Sequence, residues 1–270
     1  MISYANAKIN IGLAITGKRP DGYHNLETIF YPFPLYDILE ITEKEEGDTH
    51  LTITGLDLPV EPDNLCLRAY RLLQERFDLP AIHIHLHKQI PFGAGLGGGS
   101  SDAATLINML NSKYDLNLPV DEREALAATL GADCPFFIEN KVAYAEGIGT
   151  ELSPFDLDLS SYYMVLVKPD VHVSTAEAYR HVQAKAPAAD LRDLVRLPVD
   201  EWEGRVKNDF EDSVFPQFPI VEELKDALYA AGATYVSMSG SGSSLFALFS
   251  EQRNVDELSA FGTIYYPVTL

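Results

Sequence analysis

Residues 91–110, PFGAGLGGGSSDAATLINML, place five glycines between positions 93 and 99 and then turn into a helix-forming run. Glycine loses more conformational freedom on folding than any other residue, so a chain orders such a stretch where backbone must approach something closely. Gly93, Gly95 and Gly98 spell G-x-G-x-x-G, the dinucleotide fingerprint. That fingerprint needs a buried strand running straight into the glycines and an acid at the end of the next strand, about 20 residues on. Here Pro91 intervenes, AIHIHLHKQI before it alternates as a half-exposed strand, and Asp115 falls in the loop-like YDLNLPVD. A Walker-type loop is excluded because no G-K-S/T follows the glycines. What remains is a loop whose amides can meet phosphate oxygens at a helix start, with Ser100, Ser101 and Asp102 as expected capping residues.

Charge makes that backbone route important. The 270 residues carry a formal net charge of −20, a poor basis for binding nucleic acid or an anionic membrane. A phosphate ligand must find its positive potential locally, and helix N-terminal amides supply it without basic side chains. The two cysteines, Cys66 and Cys134, lack metal-type spacing and fit a reducing compartment. No apolar run approaches a membrane span, and MISYANAKIN does not read as a signal peptide, so the expected location is the cytoplasm.

Strand and helix signals are mixed without a βαβ rhythm, which predicts an α+β fold rather than a doubly wound sheet. Strands are predicted at 7–16, in two pieces around a proline-interrupted link within 26–43, at 50–56, 81–90 and 162–169, and as a pair in 235–249. Helices are predicted at 64–79, from 100 onward, at 121–132, opening at 174 and at 219–233, with a hairpin in 141–155. A domain boundary near residue 153 is expected, giving 1–152 and 153–270. His83, His85 and His87 share one strand face, but Ile82, Ile84 and Leu86 supply the buried face, so the histidines are read as the solvent side rather than as zinc ligands.

PFGAGLGGGSSDAA resembles the ATP-binding loop of the GHMP kinases, the superfamily of galactokinase, homoserine kinase, mevalonate kinase and phosphomevalonate kinase. AKIN at 7–10, TGKRPDGYHNLETIF at 16–30, LGADCPFF at 130–137 and SGSGSSLFALF at 239–249 resemble one branch of it in the same order. That branch phosphorylates the 2-hydroxyl of a cytidine diphosphate sugar alcohol on the non-mevalonate route to isoprenoid precursors. The resemblance implies a two-domain GHMP kinase fold: a ribosomal protein S5 domain 2-like N-terminal domain, a ferredoxin-like C-terminal domain, and an active site in the cleft between them. The implied small-molecule partners are ATP with Mg²⁺ and the cytidine compound, with no nucleic acid or membrane partner, in a monomer or homodimer.

Roles carried over from the family follow the motifs. Asp133 would take the alcohol's proton as the new P–O bond forms, and Lys8 would keep it ionised and steady the transferring phosphoryl. ATP would meet Pro91, Gly93, Ala94, Gly95, Leu96, Gly97, Gly98, Gly99, Ser100 and Ser101, with Asn64 and Lys88 nearby. Lys88 is also plausible as an ordinary strand-end lysine. Mg²⁺ would bridge the phosphates, with Ser100 or Ser101 at hand and no fixed protein cage. The cytidine side would use Tyr23 for stacking and His24 for the base edge, with Asn10, Phe30, Thr175, Tyr179 and the turn Gly240, Ser241 and Gly242. Cys134 stands where the family commonly has valine. A mevalonate- or homoserine-type kinase, or a non-catalytic ATP-binding module, is the alternative.

Overall fold

The structure, a computed structural model, describes residues 1–56, 61 and 63–269. The described elements are, in chain order, β1 (Ile2–Lys18), β2 (His24–Glu43), β3 (His50–Gly55), α1 (Leu65–Gln74), β4 (Ile82–Lys88), α2 (Gly98–Lys113), α3 (Val120–Ala128), α4 (Phe136–Glu139), β5 (Ala143–Glu146) and β6 (Glu151–Pro154). They continue with β7 (Tyr163–Pro169), α5 (Thr175–Tyr179), α6 (Leu191–Leu194), α7 (Glu211–Val214), α8 (Pro219–Ala230), β8 (Tyr235–Met238), β9 (Leu245–Phe249) and β10 (Gly262–Tyr265). The fold is α+β. It divides into two compact units, one of residues 1–7, 34–92 and 97–141, the other of residues 8–33, 93–96 and 142–270.

In the first unit the C-terminal part of β2 pairs antiparallel with β4, and β4 pairs parallel with β3. A parallel pair needs a crossover, which α1 provides. β4 alternates strictly: Ile82, Ile84, Leu86 and Lys88 point inward, while His83, His85 and His87 stay half-exposed. The histidines bond threonines of β3, with Thr52 Oγ1 2.8 Å from His83 Nε2 and Thr54 Oγ1 2.9 Å from His85 Nε2. Among the described residues no cluster is arranged to hold a metal ion. α2 presents Ala103, Ala104, Leu106, Ile107 and Leu110 to the interior and packs against α1, α3 and α4.

In the second unit β10, β7, β9 and β8 form an antiparallel sheet in that order. The inner row of α8 (Val221, Leu224 and Leu228) packs with Val165, Val167, Val236, Leu245 and Ala247 of this sheet and with Leu13 and Ile15 of β1. One carboxylate is buried here. Glu211 is satisfied by the Met238 amide at 2.8 Å, the Ser237 hydroxyl at 3.2 Å and the Lys225 ammonium at 2.6 Å.

Residue 153 lies in β6, whose hairpin pairing to β5 keeps it in the second unit. Two expectations are corrected. Residues 24–43 form one continuous strand, not two pieces, because Pro32 and Pro34 fall between the segment paired with β5 (28–30) and the segment paired with β4 (38–43). A proline disrupts a sheet only where its missing N–H would bond. Ser100, Ser101 and Asp102 do not cap α2 but lie within it; Gly97, at φ +69°, is the cap, without a side-chain bond.

Because Leu224 is fully buried between α8 and the sheet, Leu224→Ala is expected to cost about 2–5 kcal/mol, read from urea unfolding of the whole chain.

Candidate active site

The glycine-rich stretch takes its shape from what it touches. Residues 93–96 belong to the second unit, where Ala94 and Leu96 bury their side chains. Gly95, at φ +76°, lies directly on the turn after β8, and a Cβ there would overlap the Ser239 carbonyl oxygen. The Ser239 hydroxyl donates to the Gly95 carbonyl at 2.9 Å and accepts from the Asn10 amide at 3.3 Å. Asn208 fixes the same turn by donating to the carbonyls of Met238 and Gly240 at 2.7 and 2.8 Å. The two glycine turns predicted from sequence are thus in backbone contact.

Lys8 is tied to this contact. Its amide donates to the Leu96 carbonyl at 2.9 Å, and its ammonium donates to Asn10 Oδ1 at 2.7 Å, 5.0 Å over the Phe30 ring. Asn10 Nδ2 continues to the Thr28 hydroxyl at 3.0 Å. A Cβ on Gly240 would stand 3.3 Å from Asn10 Oδ1. Lys8, Asn10, Phe30 and Gly240 therefore form one buried group beside the loop.

In the first unit, Gly97 starts α2 in the left-handed region, which glycine adopts without strain. The first amides of a helix lack intrahelical partners and carry its positive dipole end. The start of α1 lies alongside: a Cβ on Gly99 would be 3.7 Å from Leu65 Cδ1, and Asn64 caps α1 by accepting from the Cys66 amide at 2.9 Å. The turn before α4 is also adjacent. A Cβ on Gly131 would be 3.9 Å from Ser100 Oγ, and the Ser100 hydroxyl bonds Cys134. Half-buried Asp133 sits in this turn, immediately before Cys134, while Ser101 is buried. Burial, with Asp133 adding to it against the Ser100 bond, pushes the Cys134 thiol up to about 11, so it is no nucleophile at neutral pH.

Lys88 does not project a bare cation toward the loop. Its ammonium lies inside the unit between Asp37 and Asp102 Oδ2, the latter at 2.8 Å. Asp37 Oδ1 also accepts the Gln89 and Ile90 amides at 2.6 and 2.9 Å. Burial works against the Lys88 charge, but the two carboxylates outweigh it and raise its pKa. Burial raises the Asp102 carboxyl to about 8, with Lys88 opposing and the like charge of Asp37 adding. Asp102 Oδ1 has no hydrogen-bond partner, consistent with a carboxyl that retains its proton readily. A Cβ on Gly98 would be 3.3 Å from Lys88 Nζ, so the ammonium supports the first turn of α2 from beneath. The sequence reading assigns Asp37 no role and takes Asp102 for a helix cap.

Of the residues expected on the cytidine side, Tyr23, His24, Thr175 and Tyr179 share one pocket of the second unit. Gly22, Tyr23, His24, Ile148, Thr175, Ala176 and Tyr179 line a pocket of about 300 Å³. His24 stacks on Tyr179 with centroids 4.8 Å apart and planes 21° from parallel, and Phe210 braces Tyr179 edge-on. Tyr23 is 63% exposed on a turn stiffened by Asp21 Oδ1, which accepts the Tyr23 amide at 3.0 Å. Thr175 Oγ1 is 3.5 Å from Ser241 Oγ, joining the pocket to the second glycine turn.

Comparison with known proteins gives the class, a small-molecule phosphotransferase. The family model for the GHMP kinases N terminal domain matches residues 64–141, and that for GHMP kinases C terminal matches 189–267. A Bacteroides fragilis protein named 4-diphosphocytidyl-2-C-methyl-D-erythritol kinase is 53% identical over 261 residues, covering 96% of this chain and 95% of its own. A protein of the same name from Parabacteroides distasonis is 52% identical over 267 residues, covering 98% and 97%. A crystal structure of 4-(cytidine 5'-diphospho)-2C-methyl-D-erythritol kinase superposes with a TM-score of 0.83 at 35% identity, over 98% of this chain and 97% of that one. A mevalonate kinase structure, at TM-score 0.72 and 14% identity, shares the fold. The chain belongs to the GHMP kinases and, within them, to the 4-diphosphocytidyl-2-C-methyl-D-erythritol kinase family.

Two outcomes are expected from these contacts. Gly95→Ala forces a side chain into both an unfavourable φ and the Ser239 carbonyl, so it should lower stability by at least about 1–2 kcal/mol and raise the KM for ATP, read by thermal melting and steady-state kinetics. Asp37→Asn turns an amide NH₂ toward either Lys88 or two backbone donors and should cost about 3 kcal/mol or more. Asp102→Asn keeps its acceptor for Lys88 and should cost clearly less in the same denaturation assay.

Proposed function

We propose that this chain transfers the γ-phosphate of ATP to the 2-hydroxyl of 4-diphosphocytidyl-2-C-methyl-D-erythritol, giving the 2-phosphate and ADP. The observation that carries the acceptor class is the pocket of Tyr23, His24, Thr175 and Tyr179. A pyrimidine ring needs a flat apolar face and matched polar groups at its edge. The exposed Tyr23 ring and the His24 imidazole have that character, and Thr175 with Ser241 extends the polar side.

Phosphoryl transfer needs alignment and charge stabilisation more than covalent chemistry. The amides at the start of α2 bind the triphosphate as an anion. Asp133, immediately before the Ser100-bonded Cys134, takes the proton of the attacking alcohol. Lys8, oriented by Asn10 and the Phe30 ring, stabilises charge on the transferring group. Mg²⁺, bound with the nucleotide, would supply neutralisation of the phosphate charge. No described cluster forms a cage for it, and we assign the Ser100 hydroxyl rather than the buried Ser101 to its vicinity. Lys88, paired with Asp37 and Asp102 beneath Gly98, would serve the nucleotide through the helix start it supports.

ADP release measured with the cytidine compound, mevalonate and homoserine tests the reading. Turnover is expected with the first alone, and equal turnover with a uridine analogue would overturn the pocket assignment. Asp133→Asn and Lys8→Ala should each lower kcat by about 10²-fold or more with the fold retained by circular dichroism.

A further inference from the structure

His172 is an exposed residue of the segment joining β7 to α5, and its ring lies against the first glycine of the phosphate loop. A Cβ built on Gly93 would be 2.8 Å from His172 Cε1 and 3.2 Å from Nδ1. Gly93 has φ +62°, so both its backbone conformation and this ring favour glycine at the position. Both residues belong to the second unit.

The histidine is presented, not loosely tethered. On one side the Val171 carbonyl accepts from Lys168 Nζ and from Ser243 Oγ, each at 2.8 Å. On the other, Val173 is buried and Ser174 closes a reciprocal capping box with Glu177. Three residues on stands Thr175, 3.5 Å from Ser241 on the second glycine turn. Backbone anchored on both flanks thus aims an imidazole at the place where residues 93–96 offer their backbone.

The electrostatic setting gives such a donor a purpose. In a chain of net charge −20, the Lys8 ammonium is engaged with Asn10 and the Lys88 ammonium with two carboxylates. We propose that His172 is a further ligand-binding residue, whose imidazole N–H donates to a phosphate oxygen held at the Gly93–Leu96 segment. This rests on the kinase reading above. The phosphate belongs either to ATP or to the diphosphate of the cytidine acceptor, and kinetics separate the two.

The experiment uses the full chain with ATP and acceptor varied independently, comparing wild type, His172→Ala and His172→Gln. A hydrogen bond to a charged phosphate predicts that His172→Ala raises one KM by about tenfold or more, while kcat changes less. His172→Gln, which keeps a donor, should recover most of the loss. A rise confined to the KM for ATP assigns the contact to the nucleotide, and a rise confined to the acceptor assigns it to the diphosphate. Both KM values within twofold of wild type in His172→Ala, with wild-type turnover normal, would overturn this inference alone. A wild-type chain without turnover on the cytidine compound would overturn the kinase reading and this inference with it.

Discussion

A loop without side chains cannot hold its own shape, so its form must be imposed by the surfaces around it. Here the imposition is a backbone-to-backbone contact: Gly95 against the Ser239 carbonyl, with no room for a methyl group. Everything near it is arranged to keep that contact. Asn208 ties down the far turn, Ser239 bridges to Gly95, and Asn10 links the turn to Lys8. The residues that orient the lysine are therefore the same ones that shape the loop.

The first unit solves a related problem with charge. An ammonium beneath the opening turn of α2 would be ruinous if unpaired, since a buried charge without partners costs several kcal/mol. Asp37 and Asp102 answer it with more negative charge than one lysine needs, and the surplus is relieved by the upward shift of the Asp102 carboxyl. The first turn of α2 thus rests on a paired lysine rather than a bare one. On the proposed reading the amides, not this ammonium, would meet the anion, which suits an acidic chain.

Much of this was legible in the residues. The glycine loop, the DGYH turn and the GADC segment pointed to the family that the comparisons show, and the structure places Tyr23, His24, Thr175 and Tyr179 around one pocket. The Lys88 cluster was legible too, but by a different signal. Alternation that turns His83, His85 and His87 outward must turn Lys88 inward with Ile82, Ile84 and Leu86. In β2 the same rule sets Asp37 in the row of Phe33, Leu35, Leu39 and Ile41. The pairing of Leu39 with Leu86 and Ile38 with His87 then brings Asp37 to Lys88. A lysine and an aspartate, each replacing an apolar residue in facing inward rows, announce a buried pair. The division into units was not legible, because β1 and β2 each serve both units and no composition change marks the crossing. Nor was the helix start, since glycine as a cap depends on a backbone angle rather than on residue preference.

That helix start has a thermodynamic consequence. Most helices begin with a hydroxyl or carboxylate that completes the first turn, and replacing such a group typically costs about 1 kcal/mol. α2 begins with Gly97 and no side-chain acceptor. On the proposed reading an anion bound there would complete its opening turn, so ligand binding would add to the resistance to unfolding. The polyphosphate would then be both the reagent and the last structural element of the helix.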